Sequence, residues 1–289
     1  MDFCKINFME IEKEIIKKVF KKRKKDSHKG DFGHLLVIGG SKLYHGSIAF
    51  NALAAYRAGS DLVTILAPER AANIVASLSP DLITYPLKGD FIRKSHLKTM
   101  FKFLDRKDAV VIGGGTGRRK ETLSTINNFL RKIKIPCVID ADAIYAVSKS
   151  KNVLKNNFVI TPHSYEFFVL SGIEIKEMSL KEKIESVKKV ANYLRCTILL
   201  KGNIDIISDG YRVAINRTGN PYMTKGGTGD TLAGICGALL AQGIEPFYSA
   251  CAAAYINGKA GDMAARDLKH SLTASDLLDY IPKVWNNKE

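Results

Sequence analysis

The chain is 289 residues long and 46% hydrophobic, so it can bury a substantial core as one large domain or two small ones. Its formal charge of +15 raises the prospect of a nucleic-acid partner. The lysines, among them Lys98, Lys102, Lys132, Lys181 and Lys188, are mostly spread over amphipathic stretches without interleaved aromatics, which argues for a solvated basic surface that attracts small anions and against a nucleic-acid site.

Residues 1–25 mix charged and apolar side chains and close on the run Lys21, Lys22, Arg23, Lys24, Lys25. Within them, residues 10–20 read as an amphipathic helix and not as a signal peptide, and no apolar run in the chain reaches the roughly 20 residues that span a membrane. No ligand motif begins before His28, so residues 1–25 are expected to be a packing helix dispensable for catalysis, and residues 26–289 the working domain. The cysteines at 4, 137, 196, 236 and 251 lie far apart with no C-x-x-C, and four fall in apolar runs. This suits reduced thiols in a cytoplasmic protein and argues against zinc.

From residue 35 onward, apolar runs alternate with amphipathic stretches, as in a single α/β unit. Residues 35–38 read as a buried parallel strand ending in Gly39, Gly40 and Ser41, with a crossover helix over 47–58. A second strand over 62–67 precedes a helix over 71–77; a third over 108–112 runs into four glycines within residues 113–117. A fourth, over 137–142, ends in Asp140 and Asp142, which read either as ligand contacts or as caps of the next helix. Residues 158–160 lead to Thr161, an expected N-cap, with His163 and Glu166 on one helix face at the strand's carboxyl end. Beyond a helix over 180–194 and a strand ending at Lys201, the Asp209-Gly210 pair signals a hairpin that turns the sheet antiparallel at that edge.

The stretch TKGGTGDTLAGICGALLAQG, residues 224–243, joins a glycine turn to an apolar helix. Free amides at such a helix start bind anions. Gly226, Gly227 and Gly229 allow a ligand to approach the backbone closely, and Asp230 in the first turn is the candidate base for a hydroxyl beside a bound phosphate. One glycine would suffice for a structural turn, and three suggest a site.

These motifs together resemble the ribokinase-like superfamily and, within it, the nucleotide-dependent NAD(P)H-hydrate dehydratases. The matching pieces are His28-Lys29-Gly30-Asp31, Gly39-Gly40-Ser41 with Tyr44-His45-Gly46, residues 57–63, residues 112–117, and Asp140-Ala141-Asp142-Ala143. They continue with Thr161-Pro162-His163 and Glu166, Leu200-Lys201-Gly202, Asn216 with Thr218-Gly219-Asn220-Pro221, and Gly226-Gly227-Thr228-Gly229-Asp230. Departures from the family pattern include Ser47 for a small alanine, Gly114 and Thr116 for a proline and a leucine, Tyr145 for an asparagine, and Lys225 for a small residue.

The resemblance implies a three-layer α/β sandwich whose mostly parallel central sheet has antiparallel edge strands and helices on both faces. It implies repair of hydrated NADH and NADPH: phosphorylation of the ring hydroxyl from ADP or ATP with Mg²⁺, then elimination of phosphate. Asp230 would be the base, with the Gly227 and Gly229 amides holding the transferring phosphoryl. The donor would meet Lys201, Gly202, Asn203, Ile204, Asp205, Asn220, Gly226, Gly227, Thr228 and Gly229. The substrate would meet Ser47, Gly117, Asp140, His163, Glu166 and Asp230, with Glu166 also the candidate metal ligand. Family members are commonly tetramers, so a homo-oligomer is expected. A small-alcohol kinase of the hydroxyethylthiazole or pyridoxal type is the main rival, since it would use the same loop and base but release a phosphorylated product. A catalytically silent nucleotide-binding module would not need Asp230.

Overall fold

The computed structural model describes residues 8–20 and 23–286. In chain order its strands are β1 (Met9–Glu10), β2 (His34–Ile38), β3 (Leu62–Pro68), β4 (Ile83–Leu87), β5 (Ala109–Ile112), β6 (Cys137–Ile139), β7 (Phe158–Ile160), β8 (Thr197–Leu200), β9 (Asp205–Ser208) and β10 (Val213–Asn216). The α-helices are α1 (Glu14–Val19), α2 (Gly46–Arg57), α3 (Glu69–Ala76), α4 (Leu97–Lys102), α5 (Lys120–Lys132), α6 (Asp142–Ser148), α7 (Ser164–Ser171), α8 (Leu180–Leu194), α9 (Thr228–Ala241), α10 (Pro246–Leu268), α11 (Ala274–Tyr280) and α12 (Lys283–Asn286).

The strands form one sheet in the order β1-β10-β9-β8-β7-β6-β5-β2-β3-β4. All neighbours run parallel except at β9, which is antiparallel to both β8 and β10. Because side chains alternate across a strand, consecutive residues feed two cores. Leu35, Val37, Val63, Ile65, Val111 and Val138 point to the layer of α2, α9 and α10, while Leu36, Ile38, Leu66, Val110, Ile112 and Ile139 point to the layer of α5, α6 and α8. Both faces are covered, which is why the strands read as continuous apolar runs. The result is the expected three-layer α/β sandwich, with its antiparallel hairpin at one side of the sheet.

The sharpest layer contact is α2 on α9. A methyl at Gly234 would stand 2.3 Å from the Asn51 carbonyl oxygen, and one at Gly237 would stand 2.3 Å from Val111 Cγ2. Glycine therefore sets how deeply α9 sinks onto α2 and the sheet, and with it the position of the loop that precedes α9.

The structure differs from the sequence reading at several elements. The N-terminal helix is only α1; Met9 and Glu10 instead add a strand parallel to β10, and Ile11, Ile15, Ile16 and Val19 are buried in the main core. The start of the basic run, Lys21 and Lys22, lies outside the described residues. Strand β4 was not foreseen because Pro86 and the exposed Ile83 and Tyr85 mask its pattern, yet an edge strand tolerates both. The cap of α7 is His163, two residues later than the expected Thr161. Among the described residues, no helix is long and apolar enough to cross a membrane.

Candidate active site

Parallel strands place their carboxyl ends on one rim, and there an α/β sheet presents its ligand groups. Here that rim carries the turn after β2, the 113–117 loop after β5, Asp140 after β6, His163 before α7, and Lys201 after β8. Helix α9 starts against the same rim. Its N-cap, Gly227, has φ 100°, and a methyl there would stand 2.7 Å from both the Phe50 ring and Ala274 Cβ. Gly227 is therefore demanded by the turn itself. Gly226 has nothing within 4 Å of a built methyl, and Gly229 has only Lys201 Nζ at 3.5 Å. These two glycines leave the helix amides open on the cavity side, and no packing requirement explains them.

Asp230 lies in the first turn of α9. Its backbone carbonyl accepts from Asn51 Nδ2 at 2.7 Å, its carboxylate is hydrogen-bonded to Ser47, and a methyl at Gly114 would stand 3.0 Å from its Oδ1. Burial and the neighbouring charge of Asp140 push its carboxyl up to about 7, against the opposing pull of Ser47 and Lys201. A carboxyl raised this far above the usual range is a stronger base than a free aspartate and suits proton abstraction near neutrality.

Lys201 joins the acids. Its Nζ donates to Asp140 Oδ1 at 3.0 Å and lies 3.8 Å from Glu166 Oε2. Asp140, 3% exposed, also accepts from Thr161 Oγ1 at 2.7 Å, so its buried charge is paired and hydrogen-bonded. Burial is the main influence raising Glu166, with Asp140 adding and Lys201 opposing. Glu166 also closes a reciprocal cap: Oε2 accepts from His163 N at 2.9 Å, while His163 Nδ1 accepts from the amides of Tyr165 and Glu166. Nδ1 being an acceptor, the neutral ring carries its proton on Nε2, 3.4 Å from Glu166 Oε1.

Between these groups and the β9–β10 edge opens a cavity of about 800 Å³. Of the ten residues expected to meet the donor, Lys201, Gly202, Asn203, Asp205, Asn220, Thr228 and Gly229 line it, and His163 stands at its rim. Gly226 and Gly227 lie in the turn beside it. Ile204 faces away, into a smaller recess of about 240 Å³ behind the same loop. Asp205 accepts from Gly202 N and Asn216 Nδ2, both at 3.0 Å, and burial pushes it up to about 6. Of the remaining substrate candidates, Ser47 at the start of α2 is hydrogen-bonded to the Asp230 carboxylate, and the Gly117 amide donates to Asp142 Oδ2 at 2.9 Å. Asp142 thus binds the 113–117 loop, while Asp140 turns inward to Lys201.

The residues that hold this frame carry no motif in the sequence. Asn51 fixes the Asp230 backbone, Asn257 donates to Thr228 O and accepts from Thr231 Oγ1, and Asp262 accepts from Gly219 N and Asn220 Nδ2. Asn51 and Asn257 interrupt otherwise apolar helices, a signal that a buried amide has a partner to hold. Among the described residues no cluster of three or more His, Cys, Asp or Glu forms a metal cage. The fit is instead to an ion arriving with phosphates, because Mg²⁺ is usually bound through one or two carboxylates plus phosphate oxygens, and Asp140, Glu166 and Asp230 all approach the Lys201 end of the cavity.

A ribokinase-like superfamily protein from Enterococcus faecalis superposes with a TM-score of 0.84 at 26% identity, covering 98% of this chain and 97% of that one. An ADP/ATP-dependent NAD(P)H-hydrate dehydratase from Bacillus subtilis, co-crystallized with ATP and Mg²⁺, gives 0.81 over 97% and 99% at 24% identity, which speaks to the shared fold. This is a ribokinase-like sandwich. The NAD(P)H-hydrate dehydratase family model matches residues 35–283, and the chain belongs to that family. Bifunctional NAD(P)H-hydrate repair enzymes from Pyrobaculum aerophilum and Methanothermobacter thermautotrophicus are 43% and 41% identical over 265 and 270 residues, each covering 91% of this chain. The chain spans about half the length of these relatives, 52% in both cases.

Proposed function

We propose that this protein dehydrates hydrated NADH and NADPH at the expense of ADP or ATP. The observation that carries the reading is the placement of the buried Asp230 carboxyl in the first turn of α9, directly after Thr228 and Gly229, which line the 800 Å³ cavity. The donor lies along the Lys201 and Asn220 side, with its terminal phosphoryl at the start of α9. The hydrated nicotinamide lies between Ser47, Gly117 and His163, with its ring hydroxyl toward Asp230.

Asp230 takes the proton as the hydroxyl oxygen bonds to the donor's terminal phosphorus and the bond from that phosphorus to the donor's bridging oxygen breaks, releasing the nucleotide one phosphoryl group shorter. The amides at the start of α9 stabilise the charge on the transferring group. Inorganic phosphate then leaves the ring carbon with the C–O bonding pair, helped by the ring nitrogen's lone pair, and loss of a proton from the adjacent carbon restores the double bond. Mg²⁺, held by the donor phosphates with Asp140 or Glu166 as protein ligands, would neutralise phosphate charge near three carboxylates. Lys201 holds Asp140 and Glu166 in place and lowers the same repulsion.

The four described cysteines are buried and unpaired, which supports a reducing, cytoplasmic setting. Assembly into a homotetramer is part of the proposal and is read directly by light scattering. The catalytic test is to incubate hydrated NADH with protein, Mg²⁺ and either nucleotide, and to follow dihydronicotinamide absorbance together with inorganic phosphate. Recovery of both supports the reading. A stable phosphorylated product without phosphate release would instead indicate a kinase, and no recovery with either donor would overturn the proposal.

A further inference from the structure

We infer that Arg118, held on the Tyr145 ring by Asp142, binds the diphosphate bridge of the dinucleotide substrate. This rests on the dehydratase reading above and extends it to the half of the substrate remote from the reacting ring. Arg118 follows Gly117 directly. Its guanidinium lies 3.7 Å above the centre of the Tyr145 ring, and its Nε donates to Asp142 Oδ1 at 2.9 Å. The second oxygen of Asp142 accepts from the Gly117 amide at 2.9 Å, so loop and guanidinium are fixed by one carboxylate.

The ion pair uses Nε and the Tyr145 ring covers one face of the guanidinium, while the side chain as a whole is 56% exposed. A planar donor fork that is stacked and oriented before ligand arrives loses little freedom on binding, and its geometry matches a phosphate. Placement agrees. A methyl at Gly114 would stand 3.0 Å from Asp230 Oδ1, and Arg118 is four residues along the same loop, which keeps its Cα within about 14 Å of Gly114. Arg118 also lies close enough to Glu166 for electrostatic attraction, so it belongs to the same rim. The donor takes the opposite side, toward Asn220, and the substrate's tail must leave past Gly117. The diphosphate is one ribose from the nicotinamide, whereas the 2′-phosphate of NADPH sits on the second ribose, farther from the reacting ring. Tyr145 is itself a departure from the family pattern, and its ring supplies the platform that fixes the guanidinium.

The test is steady-state kinetics of Arg118→Ala, Arg118→Lys and Tyr145→Leu with hydrated NADH and hydrated NADPH, at saturating Mg²⁺ and donor. Loss of a charge-assisted phosphate contact should raise KM for both hydrates about 10- to 100-fold in Arg118→Ala, with kcat and the donor KM changed by less than about twofold. Arg118→Lys should recover part of the loss, since it keeps charge but not the fork, and Tyr145→Leu should shift KM the same way by less. The hydrate KM should also depend less steeply on salt in Arg118→Ala than in wild type, a readout that a folding defect would not give. Unchanged KM for both hydrates would overturn the inference. So would a rise confined to hydrated NADPH, which would mean a 2′-phosphate contact, or an equal rise in the donor KM. Absence of turnover in the wild-type protein would count against the dehydratase reading and not against Arg118.

Discussion

At the scale of single residues, the proposed mechanism asks of Asp230 a charge that its buried position penalises. Its carboxyl moves from 3.8 to about 7, chiefly through burial, so the folded chain binds that proton more tightly than the unfolded one. Stability therefore declines as pH rises from about 4 to about 7 and carries the full penalty above 7, with a ceiling of about 4 kcal/mol. Asp230→Asn should raise the melting temperature at pH 8, and the gain should shrink toward pH 4, as thermal unfolding would show. The same variant should lose kcat by about 10²- to 10⁴-fold while binding nucleotide at least as tightly by calorimetry, because the amide relieves repulsion but accepts no proton. In the wild type, kcat/KM should fall on the acid side with a midpoint near pH 7; near-wild-type turnover of the variant would remove Asp230 as the base. His163 offers a second separation of roles. His163→Ala should cost about 1 kcal/mol through loss of the α7 cap and should also raise the hydrate KM, whereas His163→Asn should restore the cap but not the contact. Equal recovery of stability and KM in the asparagine variant would show that His163 acts through the cap alone.

Elements that bury both faces were legible because a parallel strand under two helix layers is a continuous apolar run, and β2, β5, β7 and β8 all have that form. The hairpin was legible for a different reason: Gly210 sits at φ 94° in a turn where a methyl would meet Asn192 Cα at 2.5 Å. Strand β4 and the β1 edge were not, because an exposed edge need not alternate cleanly. In the site, glycines, Asp230 and the Thr161 to Glu166 motif announced themselves by chemistry, but Asn51 and Asn257 act through tertiary contacts between helices far apart in the chain. The α2–α9 seam turns this into a prediction. Gly234→Ala gains up to about 1 kcal/mol of helix propensity but drives a methyl into the Asn51 carbonyl, and overpacking of this kind costs about 1–3 kcal/mol. A net loss in urea unfolding is expected, together with reduced kcat, because Asn51 also holds the Asp230 carbonyl. Gly226→Ala, in open space and without a positive φ, should leave stability within about 0.5 kcal/mol and raise the donor KM. Stability effects in the reverse order would refute the division between packing glycines and ligand-facing glycines.

For the molecule as a whole, the N-terminal segment changes role between sequence and structure. Its charge pattern suggests a packing helix that catalysis could lose. Yet Ile11, Ile15, Ile16 and Val19 are buried at 8% exposure or less, α1 packs on α10, Lys18 Nζ lies 3.5 Å from the centre of the Tyr248 ring, and Phe20 meets Trp285 with ring centroids 4.6 Å apart. Fully burying such aliphatic side chains contributes about 1.5–3 kcal/mol each, so four of them rival the 5–15 kcal/mol that stabilises a typical domain. Removing residues 1–20 would also leave the β10 edge without its partner strand, an invitation to association. The truncated chain is therefore expected to aggregate or unfold, and its activity would report folding and not chemistry. A single substitution separates the two. Ile16→Ala should lower stability by about 2–5 kcal/mol in urea while kcat and both KM values, measured where the variant remains folded, stay near wild type. A folded Ile16→Ala protein with selectively reduced kcat would place the N-terminal segment in communication with the site across α10; a truncated chain as stable as wild type would show that the sheet and its two helix layers need no N-terminal strand.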